Sequence, residues 1–250
     1  MGLKIGYYFN FQGNRKELLD RVQSLREQFR DMPVKRVMDI QDVKGATFER
    51  GKDHWEYMLA FMMLLNHFPR TVPEKKQIEM LDEIGGMNRL KDMPVRVRNR
   101  YARLKAQADD IWERRQKRIA KSGNGLYFNV DVGEGCEYFT VLFARLGTGK
   151  IWRGMGCTKT QYAEHFAQAH LTVIRMLDLC KEAGILERVE DQGEYWETRD
   201  LKVLARNINA STEFMKIASK ALQQIGGKKL LMVHNAVDKC ANYMQVNGEK

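Results

Sequence analysis

Cysteine is scarce in this chain and long apolar runs are missing, and each shortage removes a class of protein. The four cysteines, Cys136, Cys157, Cys180 and Cys240, form no CxxC pair and have no metal-like spacing with histidine. In a chain of 250 residues this argues against a disulfide framework or a zinc site and fits a reducing, cytoplasmic location. The longest apolar run, MLAFMMLL from Met58 to Leu65, falls far short of the roughly 20 residues that span a bilayer. The N-terminus, MGLKIGYYFN, lacks an apolar run before a small-residue cleavage site, and no Ser or Thr follows Gly2 where myristoylation prefers one. A soluble protein without membrane contact is expected. Internal repeats, low-complexity segments and disorder-like composition are absent too: with 44% hydrophobic and 30% charged residues, the chain can bury a large core.

What is present is positive charge, and it is concentrated. The net charge is +10. Between Arg96 and Lys121 ten basic residues face three acidic ones, Asp109, Asp110 and Glu113, so seven of those ten charges sit in one segment. The remainder is nearly balanced, and the charge is a local feature suited to an acidic partner.

The segment LKIGYYFNF places Leu3, Ile5, Tyr7, Phe9 and Phe11 on one parity, as a strand requires. Asn14 with Glu17 makes a capping box for a helix carrying Leu18, Val22, Leu25 and Phe29 and ended by Pro33. VKRVMDI then reads as a second strand, giving a β-α-β opening. From Asp53 to Ser122 nothing alternates; HWEYMLAFMMLLNHF, PEKKQIEMLDEIGG and a long stretch near Val95 to Ala120 are helical. Ser122-Gly123-Asn124-Gly125 reads as a break before LYFNVDV, followed by a GEGCE turn, YFTVLFARL, a GTGK turn and a short IWRGM strand. Helices are expected from Lys159 to Ala183, near Leu201 to Ile225 and from Leu230 to Met244, with a small hairpin about Gln192-Gly193. The fold class is therefore α+β: a mixed or antiparallel sheet opened by a β-α-β unit, interrupted by a helical insertion and followed by C-terminal helices. The expected division is an α+β domain of residues 1–52 and 123–250, with the insertion at 53–122.

On a helical wheel, Val97, Tyr101, Leu104, Ala108, Ile111 and Ile119 share one face of the long helix, while Arg103, Arg114, Lys117 and Lys121 gather on another, flanked by Arg100 and Arg118. Such a stripe can follow a phosphate backbone. It can equally be a solvated helix face, with Asp110 interrupting it and long side chains covering apolar surface. No base-reading motif accompanies it, so binding through it would be nonspecific.

The stretch GMGCTKTQYAEHFAQAH, from Gly154 to His170, reads as a strand-to-helix corner. A phosphate loop is excluded, because aligning Lys159-Thr160 with its last two positions puts Arg153 and Thr158 where glycines are needed. An anion could still meet the amides of a helix opening after Cys157, with Lys159 adding charge, or Thr158 or Thr160 could cap them. Cys157 at a helix start would have its thiolate favoured. A helical course puts His165 and His170 roughly 12 and 20 Å from it, too far to serve as its base. His170 is expected to pack with a satisfied ring nitrogen and His165 to be exposed; no metal and no cofactor are expected.

In VEDQGEYWETRD, Asp191, Glu194 and Arg199 accompany Tyr195 and Trp196. Carboxylates beside aromatics can do acid-base work or stack a ligand; the ordinary alternative is a turn, an anchoring Trp196, and an acidic residue paired with arginine. CTKTQYA at Cys157 to Ala163, Leu177-Asp178, DQGEYWETRD at Asp191 to Asp200 and the GEGCE turn together resemble a group of uncharacterised bacterial proteins with TKTQYA-like and DEGxYWxxRD-like motifs. The resemblance covers residues 1–45 and 125–205 and implies a two-segment domain, with Gln192 departing from the pattern; it carries no activity.

The leading expectation is a non-enzymatic binding protein, a nonspecific nucleic-acid accessory factor whose basic helix contacts nucleic acid or an acidic protein. The alternative is an enzyme with a cleft between the Cys157 corner and the Asp191 to Arg199 passage. A third reading has the Met-rich helix at Trp55 to Phe68 joining subunits through Met58, Met62 and Met63, against a buried role for the same helix.

Overall fold

Strand β1 (Lys4–Gln12) buries every second side chain: Ile5, Tyr7, Phe9 and Phe11 point into the core, and Lys4, Asn10 and Gln12 point out. The computed structural model describes residues 3–49, 51, 53–85, 87–160 and 166–209. The chain divides into two compact units, Met1–Gln41 with Leu126–Phe143 and Lys150–Lys250, and Asp42–Gly125 with Ala144–Gly149.

After β1, α1 (Arg15–Arg30) starts on the expected capping box, in which Glu17 N donates to Asn14 Oδ1 and Asn14 N donates to Glu17 Oε2, both at 3.0 Å. Its buried stripe is Leu18, Val22, Leu25 and Phe29. The second strand is shorter than expected: β2 covers only Arg36–Val37, and β3 (Gln41–Lys44) is separate. Between them the Met38 amide donates to the Asn129 carbonyl at 2.9 Å, while Arg26 of α1 donates through Nε to the Met38 carbonyl at 2.7 Å and pairs with Asp39. Strands β4 (Gly123–Asp131), β5 (Phe139–Leu146) and β6 (Ile151–Lys159) follow, then α5 (Phe166–Glu182), β7 (Leu186–Asp191) and the short α6 (Tyr195–Thr198). Residues 201–209 are helical, and the remainder of the expected C-terminal helices lies outside the described residues, as does His165.

The sheet order is β2-β4-β5-β6-β1-β7, with β3 paired to β4. β1 lies between β6 and β7, antiparallel to both, and β2 is antiparallel to β4. The fold is α+β as expected. The opening β-α-β unit is not a pair of neighbours, however, because β4, β5 and β6 lie between β1 and β2. The edge strand β7 carries Glu187, Arg188 and Glu190 outward, charges that discourage further strand pairing.

The core of the first unit is aromatic. Tyr7 and Phe139 rings lie 4.8 Å apart, Phe9 and Phe143 5.4 Å, Phe29 and Phe139 5.8 Å, and Trp152 is fully buried. Fully burying each large side chain contributes roughly 1.5–3 kcal/mol. Two glycines of β6 make room for it. Gly156 is opposite Tyr7 and Gly154 opposite Phe9; a Cβ on Gly156 would sit 2.2 Å from the Tyr7 ring, and one on Gly154 1.6 Å from the Leu142 carbonyl oxygen.

In the second unit, α2 (His54–His67) starts on Asp53 and buries Leu59, Ala60, Met62 and Met63. The last two methionines are thus used inside the chain. α3 (Val72–Ile84) ends on left-handed Gly85, a 3-10 turn covers Met87–Asp92, and α4 (Val95–Ser122) runs about 42 Å. Met80, Tyr101 and Leu104 pack together with Leu81, Leu90 and Val97. The Ser122 to Gly125 cluster does not form a loop. β4 begins at Gly123, directly after α4, and a Cβ at Gly125 would stand 2.5 Å from Leu59. These glycines admit side chains of α2.

Candidate functional site

Along α4 the apolar stripe is as the periodicity requires, Tyr101, Leu104, Ala108 and Ile119, but Arg115 is buried with it. Arg115 Nη1 donates to Glu74 Oε1 at 2.6 Å, Nη2 donates to the Pro69 carbonyl at 2.9 Å, and the guanidinium lies over the Phe68 ring. Burial raises the Glu74 carboxyl, yet bonds from the Thr71 amide and hydroxyl and from Arg115 outweigh it, so its pKa falls below the usual value. Arg115 is therefore an anchor and not a surface cation.

The other basic residues divide into two groups. Arg114 pairs with Asp110, Lys117 with Glu113 and Lys105 with Asp109, each one turn apart on α4 itself. Arg118 lies over Phe68 at 5.4 Å. Arg96, Arg98, Arg100, Arg103 and Lys121 are exposed and have no carboxylate partner among the described residues. Arg96, Arg100 and Arg103 stand at i, i+4 and i+7, so they form one line along one face. Arg96 was the residue missed from the wheel group; its four-residue spacing to Arg100 was the available signal.

The corner is built differently from the expectation. Cys157, Thr158 and Lys159 belong to β6, opposite Gly6, Ile5 and Lys4, and not to a helix start. Pairing with β1 overrides the helix-cap character of the threonines. Cys157 is exposed, and its pKa is raised, by burial first and then by Glu137, against lowering by Lys4 and Lys159. Its thiolate is not favoured, contrary to what a helix start would have given.

Thr158 points inward, where the Thr140 amide donates to the Tyr7 hydroxyl at 2.9 Å, that hydroxyl bonds Thr158 Oγ1 at 3.1 Å, and Thr158 donates to the Tyr138 carbonyl at 3.1 Å. Thr160, His170 and Asp191 form a second buried chain, with Thr160 Oγ1 3.1 Å from His170 Nδ1 and His170 Nε2 3.2 Å from Asp191 Oδ2. Asp191 also accepts the amides of Gly193, Tyr195 and Trp196 at 2.7, 2.9 and 3.0 Å. Burial raises its carboxyl, but His170 and those amides outweigh burial and hold its pKa below the ordinary value. Gln192-Gly193 is thus the turn from β7 into α6, and not a hairpin. Arg199 forms a bidentate pair with Asp178 at 2.7 and 3.0 Å and lies over the Trp196 ring at 4.6 Å.

No family model, curated protein or solved structure matches this chain. The motif residues can still be read by their contacts. Asp178, Asp191, Trp196 and Arg199 clasp α5, β7 and α6 to one another. The two passages lie one strand apart, since Ile5 of β1 is paired with Thr158 on one side and Asp191 on the other, and the His170 ring bridges Thr160 and Asp191. Of the expected ligand residues, Lys159 faces Glu137 at 3.5 Å and Glu194 faces Arg206 at 3.7 Å. No helix among the described residues is long and apolar enough to cross a membrane.

Proposed function

We propose that this protein binds the phosphate backbone of nucleic acid, without sequence preference, through the exposed face of α4. The observation that carries the reading is the line of Arg96, Arg100 and Arg103, aligned on a helix held by the Arg115–Glu74 anchor and lacking carboxylate partners among the described residues. Arg96 and Arg98 also occupy the first turn, which has no acidic residue and no side-chain cap. Cations there oppose the helix dipole, at about 0.3–1 kcal/mol each, and a phosphate offsets that repulsion. Each phosphate neutralised releases counterions, so affinity depends steeply on salt.

Titrating a fluorescent duplex with the wild type and with the Arg96→Glu, Arg100→Glu, Arg103→Glu triple variant at several salt concentrations tests this. Tight binding at low salt that weakens with salt, and is lost in the triple variant, supports the reading. An unchanged affinity in the variant disproves it, and preferential displacement by polyglutamate would point to an acidic protein instead.

A further inference from the structure

Strands β6, β1 and β7 of the first unit turn a second face away from the aromatic core, and its residues are aligned by register. Met155, Tyr8 and Arg188 form one row, Cys157, Gly6 and Glu190 the next, Lys159 and Lys4 a third, and Arg153 lies beside Asn10 at the other end. These positions are exposed or half-exposed. Lys4, Arg153, Lys159 and Arg188 outnumber the acidic groups there, Glu190, 3.0 Å from Arg188, and Glu137, 3.5 Å from Lys159. The Arg188 guanidinium lies 4.2 Å from the centre of the Tyr8 ring, so two stacking planes already sit together.

Gly6, beside Tyr8 on this face, is not required by packing. Its φ lies outside the left-handed range, and a Cβ there would find its nearest atom, Glu190 Oε2, at 3.7 Å, an ordinary contact. The missing side chain leaves a step next to the ring. We infer that this sheet face binds a single-stranded nucleic acid, one base stacking on Tyr8 or the Arg188 plane over the Gly6 step, with phosphates along Lys4 and Arg153. A duplex cannot use the site, because stacking on a ring requires an unpaired base whose face is free. Stacking and phosphate charge are common to DNA and RNA.

The experiment uses the full chain carrying the α4 triple reversal, so that success or failure of the helix reading does not enter. Anisotropy titrations with labelled oligo-dT, oligo-U and a duplex of equal length should show both single strands binding more tightly than the duplex. Gly6→Val fills the step with a residue that suits a strand and should lower single-strand affinity about tenfold while the melting temperature holds. Tyr8→Ala should lower it roughly five- to 150-fold, with Tyr8→Phe retaining most of it. Should Tyr8→Ala fail to fold, Gly6→Val and the exposed-site variant Arg153→Glu decide. Duplex binding equal to single-strand binding, or folded Gly6→Val and Arg153→Glu variants within twofold of the parent, overturns the proposal.

Discussion

Asp191 concentrates more of the fold's polar order than any surface charge. Its carboxylate receives His170 Nε2 and three backbone amides while fully buried, so removing it strands four donors. Asp191→Ala is expected to cost about 3 kcal/mol or more in urea unfolding, because each buried donor left without its acceptor costs about 1–3 kcal/mol. The pH dependence has a definite sign. A carboxyl with a pKa lower in the folded than in the unfolded chain contributes stability that is present above the unfolded value and is lost as pH falls through the folded one. The urea midpoint should therefore drop on acidification below the ordinary carboxylate range, and Asp191→Asn should flatten that drop; an unaltered profile would remove Asp191 as its source. Gly154 is the other residue on which the core depends. Because the atom a Cβ would strike is backbone, the Leu142 carbonyl, no rotamer change relieves the clash. Gly154→Ala is expected to cost at least 1–3 kcal/mol, measured by thermal melting, whereas Gly6→Ala should be close to neutral.

Elements were legible where one face decided them. The α1 and α4 stripes followed from spacing alone, as did the capping box at Asn14, because periodicity and cap chemistry agreed. The end of β6 was illegible for the opposite reason: Gly154, Gly156, Thr158 and Thr160 have the composition of a corner, yet the Tyr7 and Phe9 rings across the sheet need those glycines, and Thr158 completes the Tyr7 bond network. The satisfied ring expected of His170 is present, but its partners are Thr160, just past β6, and Asp191 of β7, which sequence spacing cannot bring together. Arg115 shows the same limit within a helix. It read as one more cation of the stripe, whereas Glu74, 41 positions earlier, makes it an anchor. Arg115→Ala should destabilise the chain by about 3 kcal/mol, because it leaves Glu74 without its charged partner. Arg115→Met, which restores volume, together with Glu74→Gln should recover a good part of that loss in the same melting experiment.

At the scale of the molecule, the net charge of +10 matters through which cations are free. Five on one face of α4, namely Arg96, Arg100, Arg103, Arg118 and Lys121, have no carboxylate partner among the described residues, Arg98 is likewise without one but stands on the opposite side of the helix, and Arg114 and Lys117 are engaged by Asp110 and Glu113. If only the free five meet phosphate, the slope of log affinity against log salt on duplex DNA is roughly −4.5; if all seven do, it is roughly −6.3. Raising salt fourfold would then weaken binding by about 500-fold in the first case and about 6,000-fold in the second. Exposed pairs one turn apart are worth only about 0.3–0.5 kcal/mol, so a phosphate can displace them readily. Asp110→Asn with Glu113→Gln releases Arg114 and Lys117 at a stability cost of about 1 kcal/mol or less. The double variant is expected to bind more tightly at low salt than the wild type. If the wild-type slope is already near −6.3, the two carboxylates are displaced on binding and the variant keeps that slope; a value near −4.5 that steepens in the variant shows that they stay in place and restrain the helix. A slope below about 2 in magnitude for both proteins would mean that α4 does not track the phosphate backbone at all.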